Sequence, residues 1–331
     1  MRKRLQELGL DLPLLPTTSV GSLPATPELL AVRGQASRGE ASPGDLDAGI
    51  RQATEFWIRQ QEEIGVDILV DGEMYRDDLV AFFGSHLRGF RGGGLVRSFG
   101  NRYHQKPVIT GPVRWTAPIT VEWWKFAQSL TKKPVKGTVA GPYTLMDRSF
   151  NEHYPNRKSA TVAIAREIRK EVEELVRAGC RIIQLDEPAL SARPGEMEMA
   201  MHAISIVTEK LPAYFIAHIC YGEFEAIYPD MLDLPVHNID LEMANSEMDM
   251  LDLFSRIPFT RDISVGVSDV HSGKAPAVDA VRRRLKRALA VVKPEQVWVD
   301  PDCGLRDLTV DDALGHLRVL QEVSEGLRED L

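Results

Sequence analysis

His218 and Cys220 stand two residues apart at the end of an apolar run, Ala213-Tyr214-Phe215-Ile216-Ala217, bounded by Pro212 and Gly222. Residues i and i+2 of a strand share a face, so an imidazole and a thiol would point the same way, as two ligands of one metal ion must. Alone, the pair has an ordinary explanation: a core histidine beside a buried thiol, because free cysteine is among the most buried residue types. Cys303, in Asp300-Pro301-Asp302-Cys303-Gly304, adds a second thiol at the end of another apolar run, and Ser22, Glu73, Asp186, Glu242 and His271 end runs of their own. Cys180 sits where a helix passes into a strand and reads as structural.

Zinc takes thiolate, imidazole and carboxylate ligands in tetrahedral geometry, and its catalytic sites keep or create an open position. His218, Cys220, Cys303 and one carboxylate would make such a set. Glu242 is the expected carboxylate, because its strand adjoins that of His218 in a sequential barrel. Ligands scattered over three strands point to a catalytic site rather than to a structural zinc ribbon, whose ligands come in close-spaced pairs. Two thiolates and a carboxylate leave the centre net anionic, a poor Lewis acid for water but a good holder of a further thiolate, which is the nucleophilic form of sulfur. The chemistry expected is alkyl transfer to a substrate thiol.

Those residues need a scaffold that gathers strand ends. Strand-like runs recur at 17–22, 66–73, 135–142, 181–188, 213–220, 236–242, 263–271 and 296–304. Helical periodicity covers 46–64, 121–130, 159–178 and 310–327, with helical patterns filling the remaining gaps. Eight strands alternating with helices, without a low-complexity linker, predict an α/β chain forming a single (β/α)8 TIM barrel over residues 1–331. Residues 76–120 read as an irregular excursion over the top face. That fold carries its working residues at the C-terminal strand ends, where Ser22, Glu73, Asp186, His218, Cys220, Glu242, His271 and Cys303 fall. Strand ends also favour polar residues simply because the chain enters loops there. This explains a lone carboxylate better than two thiols, two imidazoles and three carboxylates together.

Bulk properties narrow the function. The 331 residues are 44% hydrophobic and 27% charged, with a net charge of -8, so a broad basic nucleic-acid footprint is not expected. No segment is apolar for the roughly 18 residues a membrane span needs, and the basic start lacks the apolar stretch of a signal peptide. A soluble cytoplasmic protein is expected, in which three cysteines suit metal or catalytic use better than disulfides. The arginine-rich 282–287 segment reads as the solvated face of a surface helix with Val278, Val281, Leu285, Ala288 and Val292 inward. Gly92-Gly93-Gly94 lacks the context of a phosphate loop, and Trp123 and Trp124 read as packing residues.

The motifs Thr17-Thr18-Ser19-Val20-Gly21-Ser22-Leu23-Pro24, Asp71-Gly72-Glu73, Pro118-Ile119-Thr120-Val121-Glu122-Trp123, Ile182 to Leu190, His218-Ile219-Cys220-Tyr221, Asp269-Val270-His271-Ser272 and Asp300 to Leu305 occur in this order. Together they resemble the catalytic half of cobalamin-independent methionine synthase, over nearly the whole chain. The resemblance implies that His218, Cys220, Glu242 and Cys303 are zinc ligands. It implies homocysteine contacts at Val20, Gly21, Ser22, Glu73 and Asp186, with the two carboxylates holding the amino group. His271 is implied as proton donor to the departing methyl carrier, a role that suits a histidine titrating near working pH.

The family's long members carry an additional N-terminal barrel, whereas here only a short arm precedes the first strand, so a stand-alone core is expected. Where long members contact methyl-folate with a tryptophan, this chain has Arg148; where they place a glutamate beyond the strand-four aspartate, it has Ala192. Arg102 keeps a matching place, and Tyr103 replaces its usual neighbour. With the acceptor residues kept and the donor residues changed, the expected donor is methylcobalamin, free or on a corrinoid protein, rather than methyl-folate polyglutamate. Arg102, Tyr103 and Arg148 would contact it. Arg88, Arg91, Arg97, Arg102, Lys106 and Arg114, in a stretch without Asp or Glu, could dock such an acidic partner. Methyl-folate remains an alternative donor, and coenzyme M an alternative acceptor, although its sulfonate gives two carboxylates nothing to hold. A non-catalytic zinc- or corrinoid-binding module is the reading outside enzymes.

Overall fold

The computed structural model describes residues 2–97, 103–222 and 224–331. Its main sheet has seven parallel strands in sequential order: β1 (Leu69–Val70), β2 (Val135–Ala140), β3 (Ile182–Asp186), β4 (Tyr214–Ile219), β5 (Asn238–Leu241), β6 (Asp262–Ser268) and β7 (Val297–Pro301). Helices follow all of these strands but β4, and the fold is TIM-barrel-like as expected. β2 to β7 are buried at every position, as parallel strands covered on both faces must be. By contacts the chain divides into two compact units: Met1–Tyr75, Trp123–Lys136 and Asp240–Leu331 in one, Arg76–Glu122 and Gly137–Ile239 in the other.

In the first unit, the segment expected as the first strand makes only two isolated parallel bridges, Thr17 with Val299 and Ser22 with Gly72. The Thr18 N–H donates to the Val299 carbonyl at 3.0 Å and the Leu23 N–H to that of Gly72 at 3.0 Å. One irregular stretch thus borders both β7 and the continuation of β1, doing the work of an eighth stave with few ladder bonds. The final helix, Val310–Arg328, grips this stretch: Ser324 Oγ donates to the Leu15 carbonyl, Arg328 Nε to that of Leu14, and Thr17 Oγ1 to Gln321 Oε1 at 2.6 Å.

The helix Pro43–Ile64 begins at a capping box between Ser42 and Asp45, with Pro43 in its first turn, and ends on Gly65 at φ 97. It buries Ile50, Ala53 and Trp57 against Leu29, Leu314 and Leu317, each large side chain contributing about 1.5–3 kcal/mol. The Gln61 side chain accepts from the Val70 N–H and donates to the Val70 carbonyl, both at 2.9 Å, so an amide stands in for a strand partner.

In the second unit, the helix Arg157–Ala178 starts on an Asn156 cap and stops at Gly179, φ 109. Its fully buried Glu171 accepts from the Ile119 and Thr120 N–H groups, the Thr120 hydroxyl and Trp115 Nε1, all within 2.9 Å. Residues 76–120 are more regular than their pattern suggested: a helix, Leu79–His86, is followed by Leu87–Arg91 paired antiparallel with Val108–Trp115, and by Leu95–Arg97 paired with Tyr103–Gln105. The gap after β4 holds two 3-10 turns, Phe224–Ile227 and Asp230–Asp233, instead of the expected helix. Trp124 is buried with Nε1 donating to the Val135 carbonyl, and Cys180 is fully buried, both structural as expected.

Candidate functional site

β4 ends at Ile219, so His218 is its penultimate residue and Cys220 lies one residue past it, both 3% exposed. Ser191 Oγ reaches the Cys220 carbonyl at 3.5 Å, and a methyl group on Gly222 would fall 2.0 Å from Ser191 Cβ. The turn after Cys220 therefore packs on Ser191 with only a glycine's room. Beside β4, Asp186 ends β3. Its Oδ1 accepts from Gln184 Nε2 at 2.7 Å, and Arg76, 3% exposed, sits 3.5 Å from its Oδ2.

Glu187 is fully buried, and its N–H donates to the His218 carbonyl at 2.9 Å. Its carboxylate accepts from the Tyr143 and Thr144 N–H groups and the Thr144 hydroxyl, capping the helix Pro142–Asp147 that follows β2. Burial pushes the Glu187 carboxyl up to about 7, although these hydrogen bonds oppose the shift. The helix ends on Arg148, which is half-buried, whereas Ala192 is exposed. Tyr143 donates to Glu196 at 2.7 Å, and its phenol is pushed far above its ordinary range, first by burial and then by Glu196.

In the other unit, Val20 and Gly21 are buried and Ser22 is half-buried, packed so that a methyl group on Gly304 would lie 2.1 Å from Ser22 Oγ. Glu73 is 6% exposed and adopts φ 60, a left-handed conformation that costs a non-glycine residue of order 1–3 kcal/mol and is held here by the bond from its N–H to Asp71 Oδ1 at 2.9 Å. Arg306 donates to Glu73 Oε2 at 3.1 Å. Glu242 lies just past β5, 5% exposed, and its Oε1 accepts from Asn245 Nδ2 at 3.0 Å. His271 is exposed, with Nδ1 3.1 Å from Asp269 Oδ1 and 3.9 Å from Glu242 Oε1. Cys303, two residues past β7, is half-buried.

Behind these residues, Asp302 is fully buried, and its carboxyl is raised to about 8 by burial and by the Glu242 charge, against three backbone hydrogen bonds. His316 shares a 2.6 Å hydrogen bond with Ser268 Oγ, and burial holds its imidazole below the usual range. Arg76, Arg306, Asn245, Asp302 and Glu187 were missed at the level of sequence. Asp302 and Glu187 do adjoin residues singled out there. Of the donor residues expected, Arg102 lies outside the described residues, and Tyr103 begins the short strand Tyr103–Gln105. The basic stretch has partners of its own, Arg91 with Glu152, Arg114 with Glu167, and Lys106 over the Phe150 ring, so it offers less open positive charge than its composition suggests.

Among solved structures, the chain resembles a B12-independent methionine synthase from Shewanella sp. W3-18-1 in complex with selenomethionine. The TM-score is 0.85 at 26% identity, covering 96% of this chain and 98% of that one. A putative vitamin-B12 independent methionine synthase from Listeria monocytogenes shares the fold, with a TM-score of 0.75 at 20% identity over 96% of this chain and 99% of that one. The architecture is therefore that of the α/β barrels that place chemistry at strand ends. Within that class, the chain belongs to the family described as cobalamin-independent synthase, catalytic domain, which matches residues 15–326. Two relatives named 5-methyltetrahydropteroyltriglutamate–homocysteine methyltransferase, from Pasteurella multocida and Xylella fastidiosa, are 37% and 38% identical over 98% and 99% of this chain. The chain spans 45% of the length of each.

These likenesses overturn the expectation of methylcobalamin or a corrinoid protein as methyl donor. The relatives take their names from a methyl-folate triglutamate, and the family is independent of cobalamin. The expectation rested on Tyr103, Arg148 and Ala192, and the last two are a half-buried helix end and an exposed turn residue. Segments between elements vary more among related proteins than the elements they connect. Among the described residues, no helix is long and apolar enough to cross a membrane.

Proposed function

We propose that this chain carries the transfer of a methyl group from methyl-folate polyglutamate to the thiol of homocysteine, with zinc held by His218, Cys220, Cys303 and Glu242. One observation carries the reading: His218 and Cys220 lie together at the end of β4, each only 3% exposed, in a chain that the cobalamin-independent synthase family matches over residues 15–326. Two sulfurs and an imidazole nitrogen are the donor set zinc prefers over magnesium or calcium. Glu242 would be the fourth ligand, offering the metal its other carboxylate oxygen while Oε1 keeps its bond from Asn245 Nδ2. Zinc, when bound, supplies a centre that keeps the substrate thiol deprotonated.

The chain's own residues do the rest. Glu73 and Asp186 are buried carboxylates suited to the substrate's ammonium group, each already beside a guanidinium, Arg306 and Arg76 respectively. Val20, Gly21 and Ser22 offer a buried turn for the amino-acid end. His271, with Asp269 on its Nδ1 side, would pass a proton to the departing methyl carrier. The named activity of the relatives and the selenomethionine bound by the Shewanella protein support this assignment of substrates.

The test is to measure zinc content and then methionine formation from homocysteine, with methyl-folate triglutamate and with methylcobalamin side by side. Stoichiometric zinc and turnover with the folate alone are expected. A chain that binds no zinc, or that methylates only from cobalamin, would overturn the proposal.

A further inference from the structure

Asp302 directly precedes Cys303, yet its carboxylate is spent on the turn that follows Glu242. Oδ1 accepts from the Met243 N–H at 3.0 Å and the Ala244 N–H at 2.8 Å, and Oδ2 accepts from the Asn245 N–H at 2.7 Å. The strands concerned, β5 and β7, are not neighbours, because β6 runs between them. The side chain crosses β6 at Gly266, where a methyl group would sit 2.4 Å from Asp302 Oδ1 and 2.8 Å from the Leu241 carbonyl oxygen. The β6–β7 register shifts there, between Gly266 and Ser268, and the Asp302 N–H donates to the Ser268 carbonyl at 3.1 Å. The turn that Asp302 holds carries Asn245, whose side chain donates to Glu242 Oε1 at 3.0 Å.

From this chain of contacts we infer that Asp302 and Asn245 are positioning residues that fix the Glu242 carboxylate and the Cys303 thiol relative to each other, so that both meet one metal ion. A carboxylate that satisfies three successive backbone N–H groups is rigid, and it leaves no slack between the two ligand-bearing turns. Partners behind metal ligands orient them, and their loss weakens metal binding about 10- to 100-fold. The inference rests on the reading of Glu242 and Cys303 as ligands, and the experiment separates the two.

Zinc affinity is measured by competition with a chromogenic chelator for the wild-type chain, N245A, D302N and E242A, together with the cobalt-substituted absorption spectrum and the urea midpoint of each. N245A removes only the side-chain donor, leaving the backbone bond to Asp302 in place. It is expected to weaken zinc binding about tenfold and to shift the cobalt d–d bands while the urea midpoint stays put. D302N turns an amide NH2 toward a backbone N–H and is expected to weaken zinc at least as much. Wild-type affinity and an unshifted cobalt spectrum in N245A, with E242A clearly impaired, overturn the positioning role alone. Wild-type affinity in E242A, or a wild-type chain that binds no zinc, overturns the ligand reading and the inference with it.

Discussion

Glu187 offers a sharp test of how this scaffold tolerates buried charge. It is fully buried, and its carboxyl is pushed from the ordinary glutamate value of 4.5 up to about 7. Between these two values the unfolded chain has released the proton and the folded chain still holds it, so folding stability falls as pH rises. The slope is 1.36 kcal/mol per pH unit, which amounts to about 3 kcal/mol across the window and flattens above about pH 7. The variant E187Q cannot titrate at this position, and every other ionisable group is common to both proteins. Urea unfolding of each protein at pH 4.5 and pH 7.5, with metal occupancy held equal, should show the wild-type advantage over E187Q shrinking by about 3 kcal/mol at the higher pH. An advantage equal at both values would refute the argument. E187A should be worse than E187Q at either pH, by about 2–4 kcal/mol, because it also strips the acceptor from two backbone N–H groups and a hydroxyl.

Other perturbations probe separate parts of the molecule. G222A would drive a methyl group into Ser191, lowering zinc affinity about tenfold through the turn after Cys220, and adding S191G should recover most of the loss; chelator competition reads both. Q61A leaves the Val70 N–H and carbonyl without their amide partner and should cost about 2–4 kcal/mol in urea unfolding. E73Q removes a charge proposed to hold the substrate ammonium and should raise the KM for homocysteine about 10- to 100-fold at unchanged zinc content, as initial-rate kinetics would show.

The parts of this fold legible in the sequence are those written as apolar runs that stop on a polar residue. β3 to β7 and the helices Pro43–Ile64, Arg157–Ala178 and Val310–Arg328 lie where periodicity placed them, to within a few residues. The stretch 17–22 has the β-branched composition of a strand, but it forms bridges rather than a ladder, a difference set by its neighbours and not by its own residues. The hairpins of 76–120 were hidden because glycines and arginines blur their alternation, and because Glu171 anchors the end of that region from more than fifty positions away. The same distance hid Asp302, whose partners lie 57 to 59 residues back in the chain. Candidate ligands announce themselves by type. Residues that act by satisfying backbone N–H groups do not, since an aspartate capping a remote turn looks like any other aspartate. The donor residues misled for the opposite reason: Arg148 is chemically conspicuous, but it is the half-buried cap of a helix, and its type alone does not mark a donor contact.

The grip of the final helix on residues 14–17 makes the wall behind the proposed amino-acid pocket a fastening rather than a seam. Val20 to Ser22 hang from a strip of backbone whose tension is set by Arg328, Ser324 and Gln321, roughly three hundred positions along the chain. Pulling one of those studs should slacken selection of the acceptor before it melts the protein, an influence on specificity exerted from the far side of the sequence.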